Sequence, residues 1–492
     1  MINFCLTNKP KLVKGNWKSK KRLKHGVWLY YDSGVEIINS PKHWIVFGGI
    51  LWEGQVTDFL KDTKQNGIFY AIVLNKISGE VQVINDFSDS FYLNYYMSGR
   101  HFVVTNEIKV YGPSFKINQY WVNWSKQGVD LYQAPSPKKE NITPLEGVKY
   151  LGAGDVLTFQ AWDDFDCRPI VTNWFTYHRD VGPLFDAKPL HNHESALDTT
   201  KKIIAKNCQL IQEKYGTRLV HFCSTGVDSL TIKSNLNDVP MYGFIGTGFN
   251  KYHELEAPFK QLYNDYNGTL HYFDIKTLED VLNSQLPNLQ KTIKYDVAHL
   301  MLMHIRDVYH LNDRVIVHSN FGDHVLWHNR RYVLFLAVHR WGMKDAQQIW
   351  DRCIPHYGFG GPAGPTGVYS KQSRIDEINK YLSDPYPDFK TAVIAHKYFI
   401  KPPNLSNLSD PLCIDPYMDL RLINLLPSCD IPTQEASILD ARIQKDMISD
   451  ELLPYLNPHK AGGNWVYDFP KRDKEEFRKK MLSGILKNLQ RI

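Results

Sequence analysis

Two hydrophobic periodicities divide the chain. From about Trp28 to Ile170, apolar residues come in short β-branched and aromatic runs: "HWIVFGGILW", "GIFYAIVLNK", "EVQVIND", "HFVVTN" and "DVLTFQAW". Gly, Asn and Asp separate them at short intervals, which predicts strands and turns. Near Arg179 the period changes. "NHESALDTTKKIIAKNCQLIQEKYG" places Leu197, Ile203, Ile204, Cys208 and Ile211 at helical spacing and predicts an amphipathic helix. Then come a strand over Leu219 to Cys223, a helix, a strand at "MYGFIG", a helix over "YHELEAPFKQLYNDYNG", a strand at "LHYFDI", further helix, and a strand at "RVIVHS". Strands alternating with helices indicate a parallel α/β sheet. The boundary between the two regimes falls near residues 175–190.

Four segments stand outside these patterns. Residues 1–26 carry eight Lys and Arg, most densely in "KSKKRLKHG". This is either a basic arm for an anionic partner or a solvated terminal segment. The second is favoured, since "KSKKRLKHG" has neither interleaved aromatic residues nor a repeat. "APSPKKENITP" (Ala134 to Pro144) is a loop by composition. "HYGFGGPAGPTG" (His356 to Gly367) is expected to be a mobile surface loop, because its prolines remove the amide donors a phosphate cradle needs. Near the C-terminus, Phe477, Met481, Ile485, Leu489 and Ile492 form one stripe, expected to be a docking helix.

Composition narrows the classes. A chain of 492 residues exceeds one compact core and favours two domains. A hydrophobic content of 43% and a charged content of 22% are ordinary for a globular protein. The net charge of +6 permits an anionic substrate and gives no support to nucleic acid binding. The seven cysteines are scattered and no CxxC occurs, which excludes a disulfide framework and a Cys-type zinc site and suits a reducing compartment. No apolar run is long enough to span a membrane and no secretory h-region opens the chain, so the expected location is the cytoplasm.

Candidate chemistry lies in two loops. In "LVHFCSTGVDSLTIKS" an apolar run ends in Ser224-Thr225-Gly226-Val227-Asp228-Ser229 and a helical run follows. Backbone N–H groups at such a turn point outward with a helix dipole behind them, which suits an anion. Gly226 allows close approach of a phosphate, and Ser224 and Ser229 offer hydroxyl donors. Asp228 would repel a bare anion. It fits a loop that also holds Mg²⁺, which takes one or two carboxylates plus phosphate oxygens. No Gly-Lys-Ser/Thr closes the turn, so it is not a Walker loop. "VIVHSNFGDHVLWH" also ends a strand and offers Asp323 beside Gly322. Two such loops at the carboxyl ends of parallel strands meet at the ligand crevice of an open α/β sheet. Taken alone, Asp228 is equally an acidic residue favoured in a helix's first turn. His318, His324 and His328 lack an HExxH-type signature and are expected to be satisfied or exposed side chains.

Together these stretches resemble a known family. "STGVDS" resembles the SGGxDS pyrophosphate loop of the asparagine synthetase-like ATP-dependent ligases, and "SNFGDHVL" resembles their second signature, SGEGxDE. "DPYMDLRLINLLPSCD" is similar to their "PFLD…LP" segment, and "NPHKAGGNW" to their Lys-Ala-Gly loop. "GIFYAIVLNKISGEVQVINDFSDSFYLNYY", "HFVVTNEIK" and "ITPLEGVKYLGAGDVLTF" resemble the family's glutaminase domain. The resemblance implies an α/β and α+β protein. Residues 1–180 would be a degenerate glutaminase-like (Ntn-type) β-sandwich, and residues 190–492 a parallel-sheet PP-loop ATP-pyrophosphatase domain. It implies ATP and Mg²⁺ as cofactors, with nucleotide contacts at Ser224, Thr225, Gly226, Val227, Asp228, Ser229, Asn320, Gly322 and Asp323. Asp228 and Asp323 would hold the metal, and Lys460 would be the catalytic cation. His221, Gly243 and Gly246 would lie toward the adenine. The implied partners are a small-molecule or peptide carboxylate and an amine acceptor, with no membrane, nucleic acid disfavoured, and a homodimer open to it.

The departures from the family pattern are specific. Its glutaminase uses an N-terminal Cys; here residue 2 is Ile2, and Cys5 would serve only after removal of four residues. That pattern is similar to the glutaminase-dead branch, the β-lactam synthetases and lasso peptide cyclases. Asn320 and Phe321 stand where the second signature has Gly-Glu, and Phe cannot act as a base. Thr225 replaces a Gly. The expected activity is ATP-dependent amide formation through an acyl-adenylate, without glutamine hydrolysis. The rivals are asparagine synthesis from free ammonia, another adenylating PP-loop activity such as tRNA modification, and a non-catalytic scaffold.

Overall fold

The computed structural model describes residues 3–111 (except 14, 16 and 25), 115–126, 142–161, 168–246 (except 237), 253–273, 304–353 (except 320 and 329), 371–396 and 412–456, with 280, 283, 284, 483 and 487. The segments around Lys460, His356–Gly367 and the C-terminal stripe lie outside these residues, as do 134–141.

The first half holds strands β1 (Phe4–Thr7), β2 (Ser19–Arg22), β3 (Trp28–Tyr31), β4 (Glu36–Asn39), β5 (His43–Leu51), β6 (Gly67–Asn75), β7 (Glu80–Asn85), β8 (Asn94–Ser98), β9 (His101–Thr105), β10 (Val148–Tyr150), β11 (Asp155–Gln160) and β12 (Ile170–Asn173). They form two six-stranded sheets, ordered β10-β8-β9-β1-β3-β2 and β12-β11-β7-β6-β5-β4. Every pairing is antiparallel. The sheets touch through their rings: Phe4 of β1 lies 4.5 Å from Tyr70 of β6, and Phe102 of β9 lies 4.8 Å from Phe159 of β11.

Strand β5 is apolar almost throughout because it is covered on both sides. Its outer side meets the helix His193–Tyr215, where Lys214 Nζ sits over the Phe47 ring and Tyr215 Oη donates to Gly49 O at 3.1 Å. Gly49 has a φ of +122°, and a Cβ there would meet Ile68 O at 2.1 Å, so only glycine fits. The helix is the amphipathic one predicted from the sequence. Asn192 and Ser195 form a reciprocal cap at its start, Ile203, Ile204, Cys208 and Ile211 are buried, and Gly216 at a φ of 51° ends it.

The second half contains a five-stranded parallel sheet of β13 (Leu219–Phe222), β14 (Met241–Gly246), β15 (Thr269–Phe273), β16 (Val315–Val317) and β17 (Leu412–Ile414), ordered β15-β14-β13-β16-β17. The chain runs outward from β13 through β14 to β15, then returns to place β16 on the other side of β13. The order therefore reverses between β13 and β16, the place where open α/β sheets leave a crevice.

Two expectations need correction. The N-terminal segment is not simply a solvated arm. Phe4–Thr7 is wholly buried as β1, and Ser19–Arg22 is an edge strand whose Lys20 and Arg22 face solvent. Charged residues on an edge discourage further strand pairing. The short strands β2 and β17 are also absent from the sequence reading, whereas β10 lies within "ITPLEGVKYLGAGDVLTF", which the resemblance made closing strands. Among the described residues no helix is long and apolar enough to cross a membrane.

Candidate functional site

Strand β13 runs into Cys223-Ser224-Thr225 and then the helix Val227–Lys233, which starts at Gly226 in extended backbone. Four hydrogen bonds fix this turn and the helix behind it. Tyr263 Oη donates to Cys223 O at 2.7 Å. The Gly226 N–H donates to Ser224 Oγ at 3.2 Å. Thr231 Oγ1 donates to Val227 O at 2.9 Å and Gln444 O at 3.0 Å. Tyr263 fits because Gly243 and Gly268 carry no side chain: a Cβ on Gly243 would lie 2.2 Å from its hydroxyl. Gly243, expected toward the adenine, thus makes room for the tyrosine that anchors the loop. Ser224 is exposed, Thr225 is buried, and Val227 packs on the small cluster of Leu230, Leu262 and Leu452.

The second loop follows β16 and enters the short helix Gly322–Val325. Asn320 lies outside the described residues. Phe321 is buried in the main core, and its N–H donates to Asp415 Oδ2 at 2.9 Å. The position that carries Glu in the resembling family therefore presents no side chain to the crevice.

The two loops touch. Ser224 Oγ donates to Ser229 Oγ at 2.9 Å, and Ser229 Oγ lies 2.8 Å from Ser319 Oγ, a hydroxyl chain from one loop to the other. The Asp228 carboxylate rests against Gly322, where a Cβ would lie 2.2 Å from its Oδ1, and accepts the Asp323 N–H. Burial holds the Asp228 carboxyl well above its ordinary range, and the charges of Asp323 and Asp415 add to the rise. The amide of Gln444, with Nε2 3.5 Å from Asp228 Oδ1, and the Asp323 N–H pull the other way.

Two of the three histidines lie beside carboxylates of the site, and the third meets the main chain. His318 Nδ1 lies 3.3 Å from Asp415 Oδ2, His324 Nε2 lies 3.7 Å from Asp323 Oδ1, and His328 Nδ1 donates to Ile438 O at 3.3 Å. His221 is fully buried on β13, and burial, reinforced by Lys233 and His318, pushes it down to about 3, so it is neutral. Among the described residues no group of three or more His, Cys, Asp or Glu is arranged to hold a metal. The Asp228–Asp323 pair does not suit an ion needing a closed protein cage. It suits a hard cation that brings phosphate oxygens with it.

Asp415, Ser319 and Gln444 complete the site: Asp415 and Ser319 open the quoted segments "DPYMDLRLINLLPSCD" and "SNFGDHVL" with no role assigned to them there, and Gln444 lies in neither. Asp415, directly after β17, accepts the N–H groups of Phe321 and Tyr417 and so fixes the second loop. An acidic residue at a third strand's carboxyl end was the available signal. In the first half, Cys5 is fully buried on β1 between β3 and β9, and burial pushes its thiol far up.

No family model and no curated protein matches the chain. Among solved structures the chain is similar to the NMN synthetase from Francisella tularensis, at 14% identity over 50% of this chain and 94% of that one, with a TM-score of 0.20. A score that low supports no inference about fold or chemistry.

Proposed function

We propose that the crevice between β13 and β16 binds Mg·ATP and that the protein forms amide bonds by adenylating a carboxylate. The observation that carries this reading is the Asp228 carboxylate lying against Gly322–Asp323 where the strand order reverses. The Asp323 charge adds to the rise in the Asp228 proton affinity, and a divalent cation relieves that repulsion.

In this reading Ser224, Gly226 and Ser229 hold the pyrophosphate, while Asp228 and Asp323 hold the cation, which neutralises its charge. A substrate carboxylate oxygen attacks the α-phosphorus and the bond to pyrophosphate breaks. An amine then attacks the acyl carbon, loses a proton, and AMP leaves. Lys460 stabilises the charge developing in these steps. Positioning and charge stabilisation supply most of the acceleration. Phe321 is withdrawn into the core, so the amine's proton passes to another group.

The test is a screen for ATP-dependent pyrophosphate release against carboxylate and peptide libraries. Cyclised peptide would mark a lasso-type activity, and asparagine from aspartate and ammonium would mark the synthetase. With an active substrate, Lys460→Ala is expected to lower turnover by about 10²–10³ and leave ATP affinity nearly intact. Release unchanged in that variant removes the catalytic role. Release by no substrate, together with no ATP binding, leaves the scaffold.

A further inference from the structure

Gln444 belongs to no motif. It sits in the short helix Arg442–Lys445, far along the chain from both loops, and is fully buried. Its Nε2 donates to Asp228 Oδ1 at 3.5 Å, yet its Oε1, also buried, has no hydrogen-bond partner. Its main chain is tied by Thr231 Oγ1 at 3.0 Å to the helix that carries Asp228. Folded proteins seldom leave a buried amide oxygen unsatisfied, and a bound ion is one of the partners that completes such a shell.

We infer that Gln444 is the neutral oxygen ligand of the cation site formed by Asp228 and Asp323. This rests on the Mg·ATP reading above and adds a third protein group to it. A planar amide presents a donor at one end and an acceptor at the other. Without a cation, the donor end restrains Asp228 against the repulsion of Asp323 and Asp415. With one, the acceptor end supplies an oxygen that adds no charge. Leucine or methionine could do neither, and lysine or arginine would expel the cation.

The test uses the full chain and Mn²⁺ as a spectroscopic substitute for Mg²⁺. Preformed Mn·ATP is titrated with the protein and the protein-bound ion is followed by electron paramagnetic resonance, and ATP binding in chelator is measured separately. Gln444→Met keeps the length and removes the oxygen. It is expected to weaken Mn·ATP binding about tenfold or more while metal-free ATP binding stays at the parent level. Gln444→Glu restores the oxygen and is expected to bind Mn·ATP at least as tightly as the parent. Equal losses with and without metal in Gln444→Met would mark a merely structural role and overturn the inference, as would parent-like Mn·ATP binding. Should Gln444→Met fail to fold, Gln444→Glu decides, and weaker Mn²⁺ binding than the parent overturns the inference. If the parent binds Mn·ATP and Asp228→Asn does not, the site reading stands however Gln444 behaves. If the parent binds none, both fall.

Discussion

Asp228 is costly to the free protein. Its folded carboxyl is held well above the unfolded value of 3.8, chiefly by burial and then by Asp323 and Asp415. The folded state therefore keeps a proton that the unfolded chain gives up. This contribution to stability is complete below 3.8 and is lost as pH rises through the raised value. Asp86, pushed up to about 6 by burial in the first half, acts in the same direction, so the parent's own pH profile sums at least these two. The difference between parent and Asp228→Asn isolates Asp228. In cation-free buffer at neutral pH and above, the variant is expected to melt higher, by roughly 2–4 °C for each kcal/mol gained. Added Mg·ATP should reverse the order, and differential scanning calorimetry reads both. At this scale the sequence exposed Ser224, Gly226, Asp228, Gly322 and Asp323, because small residues and carboxylates at strand ends have a local signature. It did not expose Gln444 or Asp415, whose roles come from contacts across 216 and 94 residues.

Among the elements, long periodic segments were legible and short ones were not. The helix His193–Tyr215 and strands β5 and β6 lie where the hydrophobic pattern placed them. Strand β17 has three residues, too few for any periodicity, and is held by pairing with β16. Strand β1 was hidden because its four residues precede a lysine-rich run that dominated the reading of the terminus. That strand has a functional consequence. Cys5 pairs with Tyr30 on one side and Thr105 on the other, and its buried thiol cannot ionise near neutral pH. Incubation with glutamine, with or without ATP, is therefore expected to release no glutamate beyond a Cys5→Ala control. Release well above that control would return a nucleophile to this half.

Across the whole molecule, a fully buried carboxylate joins the two halves. Asp419, fully buried, accepts from Asn66 at 2.9 Å, Asn207 at 2.9 Å, and the Arg421 main chain and guanidinium. Arg421 also pairs with Glu53 at 3.0 Å, and Trp52 Nε1 donates to Met418 O. These contacts bring the first half against residues 415–421, the same segment from which Asp415 holds the second loop. Asp419→Ala would strand the buried amides and a half-buried guanidinium. It is expected to cost about 3–5 kcal/mol in denaturant unfolding and to weaken ATP binding through the shared segment. A loss below about 1 kcal/mol would show that the Asp419 hydrogen bonds do not hold the halves together. Asp419 and Arg421 fall in the quoted segment "DPYMDLRLINLLPSCD", but nothing local marks them as partners of Asn66, Asn207 and Glu53, because the seam exists only once the halves meet. The central claim is that the loops after β13 and β16 form one Mg·ATP site, and isothermal titration of Mg·ATP into the full chain tests it most directly. Saturable binding by the parent, weakened at least about tenfold in both Asp228→Asn and Asp323→Asn, which keep the shape and remove the charge, is the expected result. No binding by the parent, or parent-like binding in both variants, would contradict it.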